Sequence, residues 1–175
     1  MKQSINKHHL SSEEIIWTDK NALWYAEEYG DHISNDLTIN NIGLNPNDIL
    51  LDIGCGTGAA VKIASRICHQ GKIYGVDPIE TMINIALKKR DKPSNIKFIL
   101  GSAENIPLDN KSVNKVIAIN SIHHWKDYKK GLLEVHRVLK SKGLFFISND
   151  IVNNKDCGHG PGPLHTNTDI MNELK

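Results

Sequence analysis

The residues of this chain best suited to chemistry gather around one glycine turn. Leu51-Asp52-Ile53 reads as an apolar strand end that carries an acid, and Gly54-Cys55-Gly56-Thr57-Gly58 follows it directly. Glycine at 54, 56 and 58 lets the backbone turn tightly and approach a ligand with no Cβ in the way. A helix pattern from Ala59 to Ile67 comes next, so free N–H groups at its start point to the same place. Gly54, Gly56 and Ala59 satisfy the degenerate dinucleotide fingerprint, yet a dinucleotide site gains nothing from a carboxylate beside its pyrophosphate. Asp52 suits a ligand with an ammonium group. A second acid, Asp77, closes Gly75-Val76-Asp77-Pro78, 19 residues after Gly58. A carboxylate there can accept hydrogen bonds from both hydroxyls of a ribose.

Strand and helix patterns alternate on either side of these residues, which predicts a parallel sheet covered on both faces. Strands are expected near 48–53, 72–77, 96–101, 114–120 and 143–149, and helices near 59–70, 79–90 and 126–141. Gly71 and Gly143 sit where left-handed helix caps are wanted. The stretch 101–113 is polar and turn-rich, with room for a short or irregular helix. Residues 12–30 and 34–43 read as two helices laid across the ligand mouth, the second starting at Ser34 and stopping at Gly43. The fold class is therefore α/β: a Rossmann-like doubly wound sheet of about five parallel strands with an N-terminal helical cap. The expected division is a cap over 1–44, a ligand-binding domain over 45–150, and a loop with an incomplete helix over 151–175, all one domain.

Several segments in order resemble the class I S-adenosylmethionine-dependent methyltransferases. The likeness is greatest to the small-molecule, quinone-biosynthesis-like group, the type 11 methyltransferases. Leu51-Asp52-Ile53-Gly54-Cys55-Gly56-Thr57-Gly58 looks like the family's first motif and Gly75-Val76-Asp77-Pro78 like its second. Gly101-Ser102-Ala103-Glu104-Asn105-Ile106-Pro107-Leu108 looks like its G-D-A-E-x-L-P-F. Val116 to Trp125 looks like its fourth strand and the loop after it, and Glu134 to Lys140 followed by Gly143 to Ile147 like its last parallel unit. The resemblance covers roughly residues 45 to 150.

The resemblance implies S-adenosylmethionine as cofactor and a methyl group passed to a small molecule by in-line displacement. It implies cofactor contacts from Asp52, Gly54, Cys55, Gly56, Thr57, Gly58, Asp77, Pro78, Met82, Ser102, Ala103, Glu104 and Asn120. Asp52 would meet the amino end, Asp77 the ribose, Pro78, Ile79 and Met82 the adenine face, Ser102 and Ala103 the adenine edge. Asn120 would offer its backbone carbonyl to the amino group. The family usually has an acid where Ser102 stands, so weaker binding is expected. His123 and His124 follow the fourth strand at its ligand-binding end, and either could take a proton from an O–H or N–H nucleophile. Trp125 could pack on substrate or belong to the core. Trp17, Trp24 and Tyr25 could shape the substrate pocket or pack inward.

The rest of the chain narrows the function classes. Twenty-one basic residues against 20 acidic leave a net charge of +1, which argues against nucleic acid as the main partner. The start, Met1 to His9, is polar with no signal-peptide core, and no apolar run approaches the ~18 residues of a membrane span. Three cysteines without metal or disulfide spacing fit a reduced, cytoplasmic protein. Asp156, Cys157, His159 and His165 match no standard metal site, so no metal is expected. Lys126, Lys129, Lys130, Arg137, Lys140 and Lys142 read as the solvated face of a helix with cations toward its end. Only 26 residues follow Asn149, and the family's C-terminal hairpin is not among them. Strand 143–149 would then be an exposed edge inviting self-association. Two alternatives stay open: a non-catalytic cofactor-binding domain, and an NAD(P)-dependent oxidoreductase.

Overall fold

The computed structural model describes residues 18–88 and 93–149. Five strands form one all-parallel sheet: β1 (Ile49–Ile53), β2 (Lys72–Asp77), β3 (Ile96–Leu100), β4 (Val113–Ile119) and β5 (Leu139–Ser148). Their spatial order is β3-β2-β1-β4-β5. The chain thus builds outward in one direction from β1 and then in the other from β4. That reversal leaves a crevice beyond the carboxyl ends of β1 and β4, the place where open α/β sheets hold ligands.

Helices α1 (Asp19–Tyr29) and α2 (Ile33–Asn41) precede the sheet, and α3 (Ala59–Ile67), α4 (Glu80–Lys88) and α5 (Tyr128–Val138) connect its strands. Side chains alternate along the strands and both faces are buried. Leu51, Ile53, Val76, Val116 and Ala118 pack with Val135 and Val138 of α5. Leu50, Ile73, Ile117 and Ile119 pack on the other side with Ile39 of α2 and Val61 and Ala64 of α3. The doubly wound architecture expected from the alternation is the one observed.

The cap is tied into this body. Ala22 and Ala26 of α1 enclose Met82 of α4, and Thr81 donates to Asp19. At the opposite end of the sheet the buried Lys115 of β4 lies 3.3 Å from Asp48 and donates to the carbonyls of Ile42 and Gly43, just past α2. Gly43 has φ 62, the left-handed stop that the sequence implies.

Three local expectations change. Helix α2 is capped by His32, whose Nδ1 accepts from Ser34 N–H at 3.4 Å, because the Ser34 hydroxyl is committed elsewhere. Gly71 is not left-handed; a Cβ there would lie 1.8 Å from Asp48 O, so close approach requires the glycine. Helix α5 ends at Val138 and β5 begins at once, pairing Leu139 with Val113 before a register shift. The left-handed residue at that irregularity is Lys142, φ 64, not Gly143, so Lys140 and Lys142 belong to β5. The 101–112 crossover forms no helix, only a Ser102–Asn105 bridge and turns.

Candidate functional site

Gly54, Gly56 and Gly58 all have positive φ, 74°, 51° and 77°. Their surroundings differ. A Cβ on Gly54 would stand 2.5 Å from Ser121 Cβ, and one on Gly58 would stand 2.5 Å from the Phe98 ring. A Cβ on Gly56 would meet nothing within 4 Å. Gly54 and Gly58 therefore let neighbouring segments close in, whereas Gly56 faces open space at the crevice. Gly54 and Cys55 donate their N–H groups to Val76 O, at 2.8 and 3.1 Å, which fastens the loop to β2. The Cys55 thiol is buried and kept protonated by burial first, then by Asp52 and Asp77.

The two acids of the loop are both buried and differently satisfied. Asp77 accepts from Gly56 N–H and Ile79 N–H, each at 2.9 Å, on separate carboxylate oxygens. Burial raises its pKa, and those two N–H groups oppose the rise, so Asp77 is the member that holds the charge. Asp52 Oδ1 is buried with no hydrogen-bond partner. Burial, then the charge of Asp77, pushes the Asp52 carboxyl up to about 8. A buried unpaired carboxyl is costly, and a cation brought beside it would relieve that cost.

The end of β4 forms the facing wall. Asn120 is left-handed, φ 49, and donates its N–H to Ser148 O of β5 at 2.7 Å. Its Nδ2 donates to Ser34 Oγ of α2 at 3.2 Å. Ser121 Oγ donates to Ile53 O of β1 at 2.6 Å. A single 3-10 turn, Ile122–His124, follows, with the two half-buried imidazoles 4.1 Å apart. Trp125 is 9% exposed, stacks on Phe145 at 6.2 Å and sits against Gly131. Of the two sequence readings of Trp125, the core is the one observed.

The other candidates have varied settings. Pro78 is exposed beside the crevice and Ala103 is buried. Met82 lies under α1. Thr57 Oγ1 donates to Gly30 O at 2.8 Å in a buried position. Ser102 hydrogen-bonds Glu104, whose carboxylate accepts from Asp127 N–H at the start of α5. The side chains of Met82, Thr57 and Glu104 are thus engaged within the protein. Trp24 is half exposed and meets Tyr29 edge-on. Trp17, Asp156, Cys157, His159 and His165 lie outside the described residues. Among the described residues no group of three or more His, Cys, Asp or Glu could hold a metal, and no helix is long and apolar enough to cross a membrane.

Sequence reasoning missed the side chains that hold this site in shape. Arg137, counted in a solvated basic face, donates to Ile106 O and Leu108 O and pairs with Glu134 at 2.7 Å. Glu134 in turn accepts from Ile106 N–H at 2.8 Å. Together they pin the crossover that carries Ser102 and Ala103. The available signal was acid and base three apart on one helix face, which usually marks a surface pair.

A parallel α/β sheet with this glycine loop after β1, an acid ending β2 and a crevice at the β1/β4 reversal defines a nucleoside-cofactor-binding domain. Residues 51–147 match the methyltransferase domain family, more than half of the chain, and the chain belongs to the class I S-adenosylmethionine-dependent methyltransferases. The chain is 33% identical over 109 residues to the uncharacterized methyltransferase YdaC of Bacillus subtilis, covering 62% of this chain and 60% of YdaC. It is 30% identical to YrhH of the same organism, covering 65% of this chain and 64% of that one. The matches thus span less than two thirds of those relatives' length. An S-adenosylmethionine-dependent methyltransferase from Aquifex aeolicus superposes with a TM-score of 0.69 at 21% identity, over 91% of this chain and 86% of that chain, and shares the fold.

Proposed function

We propose that the chain binds S-adenosylmethionine in the crevice between β1 and β4 and passes its methyl group to a small organic acceptor. The observation that carries this is Asp52: a fully buried carboxyl oxygen without a partner, beside a glycine loop whose middle member opens on empty space. These residues fit a cofactor with an ammonium at one end and a ribose in the middle.

When bound, the cofactor supplies a methyl group already activated by a sulfonium. The protein's task is then proximity and orientation, a contribution of about 7–11 kcal/mol in well-oriented pairs. Asp52 would pair with the ammonium end, together with the Asn120 carbonyl. Asp77 would accept the ribose hydroxyls on the lone pairs that Gly56 and Ile79 leave. Gly54, Cys55, Gly56, Thr57 and Gly58 line the loop through their backbone. Pro78 and Met82 would bound the adenine face, and Ser102 and Ala103 its edge, in a loop oriented by Glu104. His123 or His124 would take the proton that an O–H or N–H acceptor loses.

The near-zero net charge supports a small acceptor over nucleic acid. Two free buried cysteines, Cys55 and Cys68, support a reducing, cytoplasmic setting. The same reading treats 1–44 as a substrate-shaping cap, 45–150 as the cofactor domain and 151–175 as a C-terminal segment. Leu144 is half exposed on β5, an edge strand of the described sheet, and supports self-association through 143–149.

Calorimetric titration with S-adenosylmethionine and S-adenosylhomocysteine tests the cofactor site: micromolar binding is expected, lost in Asp77→Ala. A folded protein that binds neither compound would overturn the proposal. An acceptor screen with His123→Gln and His124→Gln then tests the bases, and an unchanged pH–rate profile in both removes them from the mechanism.

A further inference from the structure

The turn between α1 and α2 touches both walls of the crevice. On one side the Thr57 hydroxyl, buried in the glycine loop, donates to Gly30 O at 2.8 Å. On the other, Asn120 Nδ2 at the end of β4 donates to Ser34 Oγ at 3.2 Å, and Ser34 Oγ lies 2.9 Å from His32 Nδ1. We infer that the segment Gly30 to Ser34 is a clamp that sets the spacing of the two walls, with Ser34 and His32 as positioning residues for the Asn120 peptide. The inference rests on the cofactor reading above.

The local geometry supports a clamp over a passive contact. Asn120 is left-handed, a conformation that asparagine adopts more readily than most side chains and that neighbouring groups fix here. Three elements hold it: Ser148 O of β5 takes its N–H, Ile53 O of β1 takes the next hydroxyl, and Ser34 of α2 takes its side chain. The first two are sheet contacts. The third links the peptide to the cap across 86 residues of sequence. Ser34 is 4% exposed, so its hydroxyl is held in place as an acceptor for the Asn120 amide, and Ser34→Ala removes that acceptor. His32 completes a polar chain in which Asn120 donates to Ser34 Oγ and Ser34 Oγ lies 2.9 Å from His32 Nδ1. At the other end, a Cβ on Gly30 would stand 2.3 Å from Ala26 O and 2.9 Å from Thr57 Cγ2, so glycine is what lets the turn press onto the loop.

The test is a cycle of Ser34→Ala, Asn120→Gly and the double variant, titrated with S-adenosylhomocysteine beside thermal melts. Glycine keeps the left-handed backbone and deletes only the amide side chain. Each single change is expected to weaken binding about five- to tenfold, the scale of one lost hydrogen bond. The double variant should be no weaker than Asn120→Gly alone, because Ser34 acts through that side chain. A merely destabilising role would lower the melting temperature and leave the affinity of the folded protein unchanged, which overturns the inference, as do additive losses. If the wild-type protein itself binds no S-adenosylhomocysteine, the cofactor reading falls and hydrogen exchange of the unliganded protein decides the clamp. Faster exchange at Asn120 and His124 in Ser34→Ala, with α3 unchanged, supports it. Unchanged exchange at Asn120 overturns it.

Discussion

Replacing Asp52 with Asn should move stability and cofactor affinity in opposite directions. The folded carboxyl has its pKa pushed up to about 8 from an ordinary value of 3.8, by burial and then by Asp77. The folded state therefore holds the proton more tightly than the unfolded state. Its contribution to stability is complete below pH 3.8 and is lost as pH rises to about 8. At about 1.36 kcal/mol per pH unit the full span is about 6 kcal/mol, of which about 4 kcal/mol is gone by pH 7. Asparagine has nearly the same shape and does not ionise, so Asp52→Asn should flatten this slope. Urea unfolding without ligand should show the variant more stable than wild type, by a margin that widens from pH 5 to pH 8.5. Binding should go the other way. An ammonium that loses a charge-assisted hydrogen bond loses about 1.5–3 kcal/mol, or about 10- to 100-fold in affinity. Wild-type binding should also release a proton near neutral pH, because the cation draws Asp52 into its charged form. Titration in buffers of different ionisation enthalpy reads that proton directly, and the variant should show none from this site. A variant that unfolds more easily than wild type at pH 8.5, or binds S-adenosylmethionine equally well, would refute the reasoning.

Gly56→Ala should fold with a loss of about 1–2 kcal/mol for its positive φ, yet lose cofactor binding, since the new methyl projects into the crevice. Gly54→Ala adds a clash with Ser121 to the same strain, so circular dichroism should show the fold itself failing. Arg137→Leu strips the carbonyls of Ile106 and Leu108 and the Glu134 carboxylate of their donor; about 2 kcal/mol of stability should go in urea, together with weaker adenine-nucleoside binding. Lys115→Met leaves Asp48 buried without its cation and should cost about 3–5 kcal/mol at pH 7. Hydrogen bonds and Lys115 outweigh burial and hold the Asp48 pKa low, so its stabilisation is present at neutral pH and fades in acid. The Lys115→Met deficit should therefore shrink as pH falls below 4.

The residues that were legible in the sequence act through local chemistry. Asp52, the glycines and Asp77 announce themselves because strand end, left-handed turn and helix start are consecutive, and each demands a particular residue type. The strands were legible for a similar reason, since a sheet buried on both faces reads as apolar runs. What stayed hidden was how the parts are held relative to one another. Ser34 has the residue type of an N-cap, but it is spent on an asparagine 86 positions away, and no periodicity encodes that pairing. Arg137 has the type and spacing of a surface cation, yet it carries a polar crossover where a helix would otherwise satisfy its own carbonyls. Lys142 takes the left-handed turn beside a glycine that would accept it at lower cost, within the irregularity between the Val113–Leu139 and Lys115–Leu144 pairs. In the first two cases a polar group left unsatisfied by regular structure recruits a distant side chain. Such recruits can be found only once the unsatisfied groups are placed in space. That is why the glycine turn and its two acids are readable from consecutive residues while the spacing of the crevice's two walls is a property of the assembled fold.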